Sequence, residues 1–103
     1  MKDCLLPQDP VLVASDFRCV YCGRDLLADF ESYLTITRDH LVPRCAGGPN
    51  GHENRVASCA ACDRLKAGAL VNDLAEARAL VTRMRRGRRV WFERVRAAVR
   101  QEA

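Results

Sequence analysis

The chain has 103 residues, 49% hydrophobic and 29% charged, a composition that suits one small globular domain and excludes a disordered or low-complexity segment. Its apolar runs are a few residues long, which excludes a membrane-spanning helix. The formal net charge of +4 is divided unevenly: residues 1–52 carry a net of −2 and residues 53–103 a net of +6, which suits either a polyanionic partner or a solvated arginine-rich helix.

In chain order, residues 1–15 read as an extended arm. Pro7 and Pro10 favour extended backbone, and the stretch from Met1 to Pro7 lacks the apolar core and cleavage site of a signal peptide. On that basis the protein is expected to be soluble and cytoplasmic. Residues 16–70 read as the core domain. Asp16 to Gly23 forms a first cysteine knuckle, with Gly23 relieving the backbone after the second sulfur, and Asp25 to Glu31 forms a short helix. The alternation of Tyr33-Leu34-Thr35-Ile36-Thr37 predicts a strand that runs through Asp39-His40 to Pro43. Residues 43–53, with two prolines and three glycines, read as a loop, and Asn54 to Ser58 as a second strand antiparallel to the first. A helix from Cys62 should end at Gly68. Residues 71–103 predict a final helix capped by Asn72 or Asp73 and packed on the core. Leu74, Ala77, Leu80, Val81, Met84, Trp91, Val95, Ala98 and Val99 recur on it at three- and four-residue intervals, and Gly87 is expected to bend it.

Six cysteines in so short a chain need a chemical reason. Cys19-Val-Tyr-Cys22 and Cys59-Ala-Ala-Cys62 are two C-x-x-C pairs with 36 residues between them. Two such turns supply the tetrahedral four-thiolate shell of a structural zinc ion. Redox C-x-x-C pairs are the alternative, but the βαβ context of a thioredoxin-like motif is missing. Cys4 and Cys45 fall outside the pattern and read as free thiols. Zinc would also staple a domain whose six aromatic residues promise only a modest core.

Between the two pairs lies a set of residues suited to phosphodiester chemistry. His40 can act as a general base near neutral pH. Asp39 and Asp63 are hard oxygen ligands suited to Mg²⁺. Asn54 can pin a loop through its donor and acceptor, and Lys66 can meet a phosphate. Each has an ordinary structural role as well: a surface histidine, a turn or helix cap, a loop asparagine, a solvated lysine. His52, beside Asn54, reads as loop surface.

Their order carries more weight than any one of them. Cys19/Cys22, Asp39-His40, Pro43, Gly47-Gly48, Asn54, Cys59/Cys62, Asp63 and Lys66 resemble the HNH endonucleases whose ββα-metal finger is framed by two C-x-x-C zinc knuckles. The resemblance covers about residues 17–68. It implies a small α+β fold and a metal-dependent DNA endonuclease. In that scheme His40 activates water, Asp39 and Asp63 hold a catalytic Mg²⁺ or Mn²⁺, and Asn54 orients the histidine through the loop. The third motif residue is commonly His or Asn; here it is Asp63, a sound ligand for a hard divalent ion and also compatible with a catalytically silent member. Zinc on four thiolates does no chemistry, having no open position. Arg83, Arg85, Arg86, Arg88 and Arg89 on the last helix are expected to contact DNA phosphates. The competing readings are a silent zinc module that binds nucleic acid and a zinc ribbon that docks on a protein.

Overall fold

The computed structural model describes residues 6–43, 45, 47–49 and 51–101, with His52 described by its backbone alone. The expectations for Cys4, for residues 1–5 of the arm and for the His52 side chain lie outside the described residues. The elements, in order, are α1 (Pro10–Ala14), α2 (Phe30–Leu34), β1 (Ile36–His40), a single 3-10 turn (His52–Asn54), β2 (Arg55–Cys59), α3 (Ala60–Lys66) and α4 (Leu74–Val99). β1 and β2 form a two-stranded antiparallel sheet, with Ile36 opposite Cys59 and His40 opposite Arg55. A small α+β unit with a ββα order is therefore present, as the resemblance implies.

The extended arm is a correction. Residues 10–14 form α1, with Asp9 as its N-cap: its carboxylate accepts from the Val11 and Leu12 amides at 3.0 and 3.2 Å. Pro10 stands at the first helical position, where a missing N–H costs nothing. Val11 and Leu12 are buried, so the segment packs. Asp9 also pairs with Arg38 on β1 at 3.3 Å, tying α1 to the sheet.

Two other elements shift. The helix expected over Asp25 to Glu31 forms instead at Phe30–Leu34, because Asp29 takes the cap by accepting from the Ser32 amide at 2.7 Å. That helix consumes Tyr33 and Leu34, and β1 begins only at Ile36. α3 starts at Ala60, directly after β2, and ends with Ala67 in the left-handed region at φ +32°.

The core is thin, as expected. It consists of Val11, Leu12, Tyr21, Leu26, Ala57, Val71, Ala77 and Val81 around three buried cysteines, Cys19, Cys59 and Cys62. Tyr21 is its one fully packed aromatic ring; Phe30 and Tyr33 stack on each other at the surface, with centroids 6.4 Å apart.

α4 is continuous through Gly87, which corrects the expected bend. A lone glycine costs about 1 kcal/mol in a helix interior, and its neighbours here are strong helix formers. The helix packs on the body only over its first turns, through Ala77 and Val81 and through a hydrogen bond from Arg78 Nε to the Val20 carbonyl (2.6 Å). From Arg85 to Arg100 every residue is exposed. At 1.5 Å per residue its 26 residues run about 39 Å, most of the molecule's 54 Å long axis.

Candidate functional site

The two cysteine pairs converge because the first knuckle is bonded to the second strand. Gly23 N–H donates to the Cys19 carbonyl (2.9 Å), and Gly23 adopts φ +78°, as its position after the second sulfur requires. Val20 N–H donates to the Ala57 carbonyl at 2.9 Å, two residues before Cys59. The sulfurs of Cys19, Cys22, Cys59 and Cys62 all lie within 4.8 Å of one another, and Cys22 Sγ is 3.9 Å from Cys59 Sγ. A tetrahedral zinc with bonds of about 2.3 Å holds its sulfurs roughly 3.8 Å apart, so these four could bind such an ion. No disulfide joins them, and Cys45 is an exposed free thiol.

The thiols' own acidity shows what a cation would change. Cys19 is lowered to about 4, first by the hydrogen bond from the Cys59 thiol. Cys59 is raised by the same bond and by burial. Cys62 is pushed up to about 12 by burial and by the charges of Cys19 and Cys22. Without a positive partner the cluster holds some of its protons back; a divalent ion lets all four sulfurs ionise. Arg85 supplies part of that positive charge, with Nη1 3.5 Å from Cys62 Sγ.

A second cluster lies where β1 meets α3. Asp39 Oδ2 accepts from the Tyr21 hydroxyl at 2.9 Å and pairs with Lys66 Nζ at 3.3 Å. Lys66 is only 2% exposed, and its ammonium also donates to the His40 carbonyl at 3.0 Å. Asp63 sits one turn before Lys66 and faces Asp39. Burial first, then the Asp39 charge, raises its carboxyl above the ordinary range. Two carboxylates held together in this way suit a hard divalent cation. Asp63 does not cap α3: the N-cap position is Cys59, and Asp63 lies within the first turn.

His40 ends β1, half-buried, and its Nε2 is buried with no hydrogen-bond partner among the described residues. Arg38, two residues before it, and Arg55, its cross-strand partner, share the His40 face of the sheet by the two-residue pleat, and the Nε of each is likewise buried and unpartnered. Three nitrogens without internal hydrogen-bond partners therefore lie on the face of the sheet away from Asp39.

Asn54 is 5% exposed and staples the loop between the strands. Its Oδ1 accepts from the Val42 amide at 3.0 Å, and its Nδ2 donates to the Val42 and Pro49 carbonyls, each at 2.9 Å. Gly48 must be glycine, since a Cβ there would fall inside the Val42 carbonyl and against Asn54 Nδ2. The loop closes with Gly48 N–H donating to the Pro43 carbonyl at 3.0 Å.

The structure thus brings Asp39 and Asp63 together, with His40 on the other face of β1 and Asn54 at the end of the inter-strand loop, and it gives two of the expected substrate contacts internal partners. Lys66 is not a solvated phosphate contact, because its ammonium is buried and spent on Asp39 and the His40 carbonyl. Arg85 turns to the cysteine cluster. Arg86, Arg88 and Arg89 line an open groove between α3 and α4, and Arg83 stands exposed outside it. Tyr21 and Arg55 are additional members of the site. Nothing in the sequence around Tyr21 singles it out; Arg55's signal is its register opposite His40, which only the sheet pairing reveals.

The match with known proteins is confined to the part that holds both clusters: residues 19–67 match the family model described as HNH endonuclease. No curated protein and no solved structure matches the chain. Among the described residues no helix is long and apolar enough to cross a membrane.

Proposed function

We propose, from the match of residues 19–67 to the HNH endonuclease model, that this chain is a metal-dependent endonuclease that hydrolyses DNA phosphodiesters. The family points to nuclease or nucleic-acid-binding function. The observation that favours cleavage is the pairing of Asp39 with Asp63 beside a histidine whose Nε2 lacks an internal partner. Binding alone requires neither a second carboxylate nor an unengaged base.

The residues divide the work as follows. Asp39 and Asp63 would hold Mg²⁺ or Mn²⁺, which supplies Lewis-acid stabilisation of the charge developing on the phosphate. A phosphodiester lying across the end of β1 reaches both faces of the strand. His40 Nε2 accepts a proton from water as the water oxygen bonds to phosphorus and the bridging P–O bond breaks, the departing oxygen taking a proton from solvent. Arg55, beside His40, is placed to hold a non-bridging oxygen. Lys66 and Tyr21 both fix the Asp39 carboxylate through its Oδ2. Asn54 and Gly48 keep the loop that follows His40 from moving. The four cysteines would hold structural zinc, and Arg83, Arg86, Arg88 and Arg89 would contact the DNA backbone.

A silent nucleic-acid-binding module is the second reading. What favours it is the Asp39–Lys66 ion pair, which partly neutralises the site without a divalent ion. Incubation with supercoiled plasmid, with and without Mg²⁺ or Mn²⁺, separates the two. Nicked or linear product that requires the ion and vanishes in His40→Ala supports the nuclease; binding without any product in either ion supports the silent module.

A further inference from the structure

The distal half of α4 is an amphipathic surface that the rest of the chain leaves uncovered. Trp91, Phe92 and Val95 are 62%, 47% and 44% exposed, about three and four turns beyond the last buried residue of the helix, Val81. Trp91 and Phe92 join Arg64, Leu65, Arg86 and Arg88 around an open groove of about 850 Å³ between α3 and α4. Sites for small organic groups occupy about 300–1,000 Å³. α3 also carries Asp63, so the groove begins on the helix that bears a candidate catalytic carboxylate.

Charge selects the occupant. Residues 83–100 hold eight arginines against one acid, Glu93, a net of +7. A second copy of this helix would bring like charges together, and an uncharged partner would leave the arginines unanswered. Arg89 and Arg96 are engaged by Glu93 at 3.8 and 2.9 Å, and Arg96 lies over the Phe92 ring at 4.9 Å. Arg64, Arg86 and Arg88 have no carboxylate partner among the described residues. The groove thus offers unpaired guanidinium groups beside an open indole face. A double helix can meet such arginines through its phosphates, but its base faces are already stacked on one another. Only unpaired nucleotides can use both features, phosphates on arginine and bases on the aromatic ring.

We propose that the α3–α4 groove binds single-stranded nucleic acid, with unpaired bases stacking on Trp91 while Arg64, Arg86 and Arg88 hold the flanking phosphates. This deepens the nucleic-acid reading above and rests on it for the polyanionic partner. Stacking is indifferent to base identity, so the groove recognises strandedness rather than sequence.

Trp91 is the chain's single tryptophan, so its fluorescence reports on this groove alone. The zinc-loaded full chain is titrated, without added divalent ion, with an oligothymidylate of about 16 nucleotides, the upper site size of one single-strand-binding fold. A duplex of equal length, polyglutamate and anionic vesicles are titrated in parallel. Saturable quenching by the single strand, at least roughly tenfold tighter than by the duplex, is expected. By anisotropy of the labelled strand, Trp91→Ala should weaken binding roughly 5- to 150-fold, the range for loss of one stacked base, and Trp91→Phe should retain most of it. Because Trp91 is exposed, the melting temperature should not move. Equal quenching by duplex, polyglutamate or vesicles would overturn the proposal, as would parental binding in Trp91→Ala. Plasmid cleavage is scored separately: a protein that cuts but is not quenched loses the groove alone, and one that is quenched but never cuts loses the nuclease reading alone.

Discussion

Replacing Lys66 with methionine separates an internal strut from a phosphate contact. The side chain is 1% exposed, and its ammonium makes two short contacts, 3.3 Å to Asp39 Oδ2 and 3.0 Å to the His40 carbonyl. Methionine keeps most of the buried stem and removes the charge. Hydrogen bonds to charged groups contribute about 1.5–3 kcal/mol each, and removing one partner of a buried ion pair costs about 3–5 kcal/mol because the other charge is left uncompensated. Both routes converge on a loss of about 4 kcal/mol, aggravated by Asp63, whose charge then faces Asp39 with no cation between them. With an m-value of about 2 kcal/mol per molar urea, the unfolding midpoint should fall by about 2 M. The measurement is urea unfolding of the zinc-loaded protein, followed by far-ultraviolet circular dichroism. Asp39→Asn combined with Lys66→Met should be less destabilised than the sum of the single variants, since the pair is coupled. A loss under about 1 kcal/mol in Lys66→Met, accompanied by weakened DNA binding, would refute the strut and restore lysine to the substrate.

The metal centres should be separable. The purified chain should hold one zinc, and Cys59→Ser should unfold it, since binding energy in such modules is folding energy; metal analysis and circular dichroism check this, and a folded, metal-free protein would refute it. Asp63→Ala should abolish cleavage while leaving zinc content unchanged and altering stability by less than about 1 kcal/mol, because Asp63 is a first-turn residue and not the α3 cap; plasmid cleavage at the parental rate would sink its assignment as a ligand. Asn54→Ala should cost about 2–4 kcal/mol by orphaning both Val42 backbone groups, and its kcat should fall with the loop's order, measured by thermal melts and plasmid turnover. Neutralising Arg83, Arg86, Arg88 and Arg89 together should weaken DNA binding similarly for all sequences and reduce its salt dependence by roughly one unit per lost phosphate contact; an unchanged salt slope would make them plain solvated surface.

Much of the molecule is legible in the chain because its information is local. C-x-x-C spacing forces a sulfur-bearing turn, and two such turns flanking a hairpin bring the four cysteines together. Asp39-His40, the Gly47-Gly48 loop and Asn54 can be read because their order along the chain resembles the HNH pattern. The periodicity of α4 and its Asp73 cap depend only on near neighbours. Other features depend on contacts between distant parts of the chain. Pro10 reads as an arm until Val11 and Leu12 meet the sheet, since burial, not propensity, decides that a five-residue helix survives. Lys66 reads as solvated because its partners, Asp39 and the His40 carbonyl, lie 26 and more residues away. Tyr21, Arg55 and the groove beside Trp91 exist as functional features only once β1, β2, α3 and α4 are assembled. Local chemistry names which groups are available, while the tertiary fold decides which of them are left with an unanswered charge, an unmet hydrogen bond or an open ring face.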